Sequence, residues 1–135
     1  LSYCLMPNHF HFFVKQKSIN AIDKFMNSLA TRYTMYFNRK YKRVGNLCQD
    51  VYKAVLINSE GQFLHLSRYI HKQALNLNNQ PCSYPEYVGL RQTLWIKPDE
   101  VLAYFSTSNP SLSYQKFVEQ PEEAERLEGL ILEDN

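Results

Sequence analysis

No apolar run in these 135 residues approaches the roughly 20 needed to span a bilayer. No basic-then-apolar leader opens the chain either, so a cytoplasmic protein without a membrane anchor is expected. Cysteine is scarce. Cys4, Cys48 and Cys82 form neither a C-x-x-C pair nor an even set, which argues against a disulfide framework and suits buried or free thiols in a reducing compartment. Internal repeats and low-complexity segments are absent. Acidic residues are also few until late in the chain. The first 118 residues carry 14 bases and 6 acids, a balance of +8. From Glu119 onward seven acids face one base, Arg126, a balance of −6. The basic body suits a polyanionic partner and equally suits a solvated surface. The acidic tail reads as an amphipathic helix or as a segment lying against that body.

What is present is enough for a core. Hydrophobic residues make up 44% and aromatics 14%, and the length fits one domain. The first residue is Leu, and it opens directly on a strand-like pattern, so the natural protein is expected to begin earlier. "LSYCLM" and "HFHFFV" read as short strands around a Pro7-Asn8 turn. By strand alternation His9, His11 and Phe13 share one face; Phe10, Phe12 and Val14 share the other and are expected in the core. A helix follows, capped by Ser18 or Asn20, with an apolar stripe of Ile22, Phe25, Met26, Leu29, Tyr33, Tyr36 and Phe37. Its end and the next loop carry Arg39, Lys40, Lys42 and Arg43, cations that suit either a helix C-terminus or a phosphate backbone.

"VYKAVLIN", residues 51 to 58, reads as a strand. Ser59 with Gln62 forms a capping box for a helix ending near residues 76 to 79, before Pro81. Its expected buried stripe is Phe63, Leu66, Ile70, Ala74 and Leu77. His65, Tyr69 and Gln73 follow at four-residue spacing along a neighbouring face, while His71 falls at a surface or core edge. The expected organisation is a domain over residues 1 to 80 and a helical extension over 81 to 135. In that extension "PDEVLAYF", "SLSYQKFVEQ" and "EEAERLEGLILED" are helical.

Two histidines on one strand face lie roughly 7 Å apart and can chelate one divalent ion, given a further ligand. Alone the pair is a weak signal. Tyr69 and Gln73 offer, from one helical face, a phenol and an amide oxygen. A phenol of pKa about 10 needs a nearby cation or base to act as a nucleophile, and a metal can polarise a phosphate.

Jointly these residues resemble the single-tyrosine transposases with a histidine-hydrophobic-histidine strand, most closely the REP-associated subgroup. "YCLMPNHFHFFV" is similar to that family's histidine strand. "SLATRYTMYFNRKYKRVGNLCQ" is similar to its helix and G-x-L-x-Q segment, and "LSRYIHKQALN" to its tyrosine helix. The likeness extends weakly into "YPEYVG" and "YQKFVEQ".

The resemblance implies an α+β, ferredoxin-like antiparallel sheet with helices on one face. It implies magnesium or manganese held by His9, His11 and Gln73, and Tyr69 attacking single-stranded or hairpin DNA to give a 5′-phosphotyrosine. His65 shares the Tyr69 face and is a candidate to assist; Arg32, Arg39, Lys40, Lys42 and Arg43 are candidates to hold DNA. Gln73 stands where the subgroup often has Asn, keeping an amide ligand. Cys48 and Val51 stand where the family often carries an aromatic and a basic residue. The family's first strand and helix precede the histidine hairpin and are not found here, so a truncated product or a homodimer sharing the sheet edge is expected. Two other readings compete: a non-catalytic nucleic-acid-binding module descended from such a transposase, and a small metalloprotein acting on another substrate.

Overall fold

The computed structural model describes residues 1–121, so the expected helix "EEAERLEGLILED" lies outside the described residues. The chain divides into two compact units: residues 1–14 together with residue 55 onward, and residues 15–54.

The first unit is built on a hairpin. Strands β1 (Ser2–Leu5) and β2 (Phe10–Phe13) pair antiparallel, with Ser2 opposite Phe13 and Cys4 opposite His11. The Met6 amide donates to the His9 carbonyl at 2.8 Å and closes the Pro7-Asn8 turn. Helix α2 (Glu60–Asn76) packs on this hairpin through Ile70 and Ala74, against Cys4, Met6 and Phe13. Its start follows the expected capping box. Ser59 Oγ accepts from the Gln62 amide at 3.2 Å, and Gln62 Oε1 accepts from the Asn58 amide at 3.0 Å. Its end is set by Asn78 and Asn79, both at positive φ, which asparagine tolerates better than most residues.

That turn sends the chain back along the outer edge of β1. Leu5 donates to the Pro81 carbonyl at 2.8 Å and Ser83 to the Tyr3 carbonyl at 3.0 Å, so Cys4 and Cys82 face each other across a bridge. Three short helices follow: α3 (Tyr84–Tyr87), α4 (Asp99–Leu102) and α5 (Tyr114–Glu119). Tyr87, Ile96, Val101, Tyr114 and Val118 from this stretch join the core of the hairpin and α2.

The fold is α+β, as expected, and its sheet has two strands among the described residues. Three expectations fail in this unit and the segment that leads into it. The core lies on the histidine face of the hairpin: Phe13 is buried, whereas Phe10 and Val14 are each about 40% exposed. The reason is size. Ser2 and Cys4 present small side chains on that face, and Ala74 shares the core cluster with Cys4, so helix and hairpin approach closely. Residues 51 to 58 form no strand, because their amides and carbonyls find no partner ladder among the described residues. Instead, the Val51 amide is taken by the Asp50 carboxylate at 2.7 Å. The α2 stripe also ends sooner than expected, with Leu77 exposed beyond the last turn.

The second unit is helix α1 (Ala21–Tyr41) and its flanking loops. Its first turn is held by Gln16, whose Oε1 accepts from the Ile22 amide at 3.3 Å; the Asn20 side chain makes no capping bond. Tyr52 donates to Asp23. Lys42, in the left-handed region, ends the helix, and the Arg43 amide returns to the Asn38 carbonyl at 3.0 Å. Of the expected apolar stripe only Met26 is buried, and Phe25, Tyr33 and Tyr36 are exposed. The rings stack along the helix instead, Phe37 on Tyr41 at 4.5 Å and Tyr33 on Phe37 at 6.1 Å.

Candidate functional site

The Pro7-Asn8 turn places His9 just before β2 and His11 within it, on the face that α2 covers. Their rings stand 5.0 Å apart and nearly perpendicular. The Asn8 side-chain oxygen lies 2.7 Å from His9 Nδ1. An amide oxygen only accepts, so His9 Nδ1 carries the proton and Nε2 the lone pair. The Nε2 atoms of both imidazoles are shielded from solvent.

From α2, the Tyr69 ring meets the edge of His11 at 5.8 Å. One turn on, Gln73 Oε1 lies 4.0 Å from the Cys4 thiol, and Cys4 is the cross-strand neighbour of His11. Burial pushes the Cys4 thiol up to about 11, so it stays protonated and donates to the amide oxygen. The hairpin and one face of α2 therefore bring His9, His11, Tyr69 and Gln73 together. His65, one turn before Tyr69, instead lies against Phe117 of α5 at 5.7 Å.

The donor set fits a divalent ion. Two neutral imidazoles and an amide oxygen are ordinary ligands, and the Asn8 bond to His9 is the kind of outer contact that orients a ligating imidazole. Among the described residues no group of three or more His, Cys, Asp or Glu side chains is placed to hold a metal.

The five basic residues all belong to the second unit. Lys40 sits over the rings of Tyr36 and Tyr41, and Arg43 over Phe37 while donating to Asn38. Arg32, Arg39 and Lys42 are exposed. The result is a helix end on which cations and aromatic rings alternate.

His71 reverses its expected place, being fully buried on the far side of α2. The segment after Pro81 folds over it, which the helix angle alone does not reveal. Its Nδ1 is 2.7 Å from the Tyr114 hydroxyl and its Nε2 is 2.8 Å from Ser83 Oγ. Ser83 in turn donates to the Tyr3 carbonyl and accepts from the Tyr3 amide. The Tyr114 hydroxyl also donates to Ser67 Oγ at 3.2 Å. Burial pushes the imidazole down to about 3, so it is neutral. His71 thus ties α2, between Tyr69 and Gln73, to β1 on one side and α5 on the other. Arg68 strengthens the second tie: its guanidinium lies over Phe117 and donates to the Gln120 and Pro121 carbonyls beyond α5. Neither role is visible from spacing, although Arg68 and His71 flank the Tyr69 position.

In this α+β domain two histidines of a hairpin lie beside a helix-borne tyrosine, with a helix-borne amide one turn on. A family model described as transposase IS200 like matches residues 1–73, more than half of the chain and all four of these positions, and the chain belongs to that family. No curated protein and no solved structure matches it. Membership makes it a transposase-related, DNA-binding protein. No helix among the described residues is long and apolar enough to cross a membrane.

Proposed function

We propose that the chain cuts and rejoins single-stranded DNA at hairpin-bearing sites, with Tyr69 as nucleophile and His9, His11 and Gln73 as ligands of magnesium or manganese. The observation that carries this reading is the 5.8 Å approach of Tyr69 to His11, within a family of transposases. The phenolic oxygen attacks a backbone phosphorus, and the bond from phosphorus to the 3′ oxygen breaks. The 5′ phosphate stays on the tyrosine, and the departing 3′ oxygen takes a proton to become a free hydroxyl. One phosphodiester replaces another, so a second 3′ hydroxyl can reverse the step and complete strand transfer. When bound, a divalent ion supplies charge stabilisation at the phosphate oxygens.

His9 and His11 present nitrogen lone pairs from a rigid hairpin. Among the described residues Gln73 Oε1 accepts from the Cys4 thiol, a weak donor, so the amide is easily redirected. Arg32, Arg39, Lys40, Lys42 and Arg43 are proposed to hold backbone phosphates.

Hairpin-bearing single-stranded DNA with manganese is expected to give a covalent adduct that survives SDS and is absent in EDTA. Gln73→Ala is expected to raise the manganese needed for half-maximal adduct by at least about tenfold. Tight, salt-sensitive DNA binding without any adduct would instead favour the non-catalytic nucleic-acid-binding reading.

A further inference from the structure

On the far side of β1 from the histidines, a small scaffold holds an exposed tryptophan. Cys4 and His11 share one face of the hairpin, so Tyr3 points to the other. Gly89, at φ +75°, turns the chain after α3, and the Leu90 amide returns to the Pro85 carbonyl at 2.8 Å. This brings Arg91 back over Glu86, whose side chain is only 3% exposed. Arg91 Nε and Nη2 grip the two carboxylate oxygens at 2.6 and 2.8 Å. Nη2 also donates to the Cys82 carbonyl at 2.7 Å and lies 3.4 Å from the Tyr3 hydroxyl. Thr93 adds a 2.6 Å bond to the same carboxylate. Burial pushes the Glu86 carboxyl up, but the bonds from Arg91 and Thr93 outweigh it and hold it below its ordinary value.

Between these anchors and buried Ile96, Trp95 rests on the Tyr3 ring at a centroid distance of 5.4 Å and a tilt of 32°. It is still 67% exposed. A large apolar ring normally gains about 1.5–3 kcal/mol by burial, so an indole propped outward on a braced loop suggests a ligand for its outer surface. Beside it, none of the Arg91 bonds among the described residues uses Nη1, and the arginine side chain is 46% exposed. The carboxylate lies buried behind this guanidinium, so the outward chemistry is an aromatic face next to a cation.

We propose that this surface, Trp95 on Tyr3 with Arg91 alongside, holds one unpaired nucleotide of a single DNA strand outside the cutting site. The base stacks on Trp95, and a flanking phosphate accepts from Arg91 Nη1. Only an unstacked base offers its face to an indole, so the partner is single-stranded rather than duplex. This inference rests on the reading of the chain as an enzyme of single-stranded DNA.

Trp95 is the sole tryptophan, so its emission reports this surface alone. Titration with an oligo(dT) strand in EDTA is expected to quench it, whereas an abasic strand of equal length leaves it nearly unchanged. Trp95→Leu is expected to weaken binding of a labelled strand roughly tenfold, with the circular dichroism spectrum unchanged. Arg91→Lys, which keeps the charge and loses the fork, is expected to weaken it less. The proposal is overturned if the labelled strand binds while Trp95 emission stays constant, or if Trp95→Leu binds as tightly as the wild type. It is likewise overturned if emission shifts with protein concentration in the absence of DNA and not with DNA, which would mark a surface for a second copy of the chain. Quenching in EDTA is independent of Tyr69 chemistry, so adduct formation without quenching sinks this surface alone. Quenching without an adduct sinks the catalytic reading alone.

Discussion

Replacing Tyr69 with phenylalanine should abolish the covalent protein–DNA adduct, a fall of at least about 10³-fold. The substitution removes one oxygen and leaves the ring. The edge contact with His11 at 5.8 Å is an aromatic contact that phenylalanine can keep, and Ile70 and Ala74 still anchor α2 to the hairpin. Binding of single-stranded DNA should therefore stay within about twofold of wild type, since one exchanged hydroxyl is a small term in a charge-dominated interface. The measurements are an SDS gel for the adduct and fluorescence anisotropy for binding. An adduct that persists in the phenylalanine variant would assign the nucleophile elsewhere. Loss of binding together with the adduct would make Tyr69 a structural residue.

Acidification from pH 7 to pH 5 should cost the fold about 2 kcal/mol through His71 alone. In the folded chain His71 remains neutral down to about pH 3, because burial opposes its charge. In the unfolded chain it protonates near the ordinary value of about 6.5. Between those values the unfolded state binds more protons, so stability falls as pH falls, by about 1.4 kcal/mol per unit well inside the window. Above pH 7 neither state takes up a proton there, and this dependence vanishes.

A second proton on the imidazole would make both ring nitrogens donors, one toward the Tyr114 hydroxyl and one toward Ser83 Oγ, in a site closed to solvent. Denaturant melts at a series of pH values measure the effect. His71→Gln should be less stable at pH 7 and markedly flatter between pH 7 and 5. Glu86, held below its ordinary carboxyl value, loses its contribution only at lower pH. An equally steep dependence in the glutamine variant would exclude His71 as its source.

Local chemistry made part of this protein legible in advance. The Pro7-Asn8 turn, the alternation of His9 and His11, and the Ser59 to Gln62 cap are each decided within a few residues of chain, and the structure has all three. So is the four-residue step from Tyr69 to Gln73, which any α-helix places on one face. Other features depend on partners far away in sequence. Which face of the hairpin is buried was settled by Cys4 and Phe13 packing with Ile70 and Ala74 of α2, not by which face carries more phenylalanine. Residues 51 to 58 have β-prone side chains, but a strand needs a neighbour to complete its hydrogen bonds. His71 lies off the expected α2 stripe and is buried because Ser83, Tyr87 and Tyr114 close over it.

By itself the sequence determined the hairpin and the two long helices, because turns, caps and helical periodicity act over short spans. Only the tertiary structure decided that Tyr69 meets His11, that Cys4 occupies the Gln73 amide, that His71 and Arg68 bind α2 to the later segment, and that Trp95 stands outward on Tyr3. These rest on contacts between residues as many as 90 or so positions apart, whose energies depend on packing and burial that no local pattern encodes.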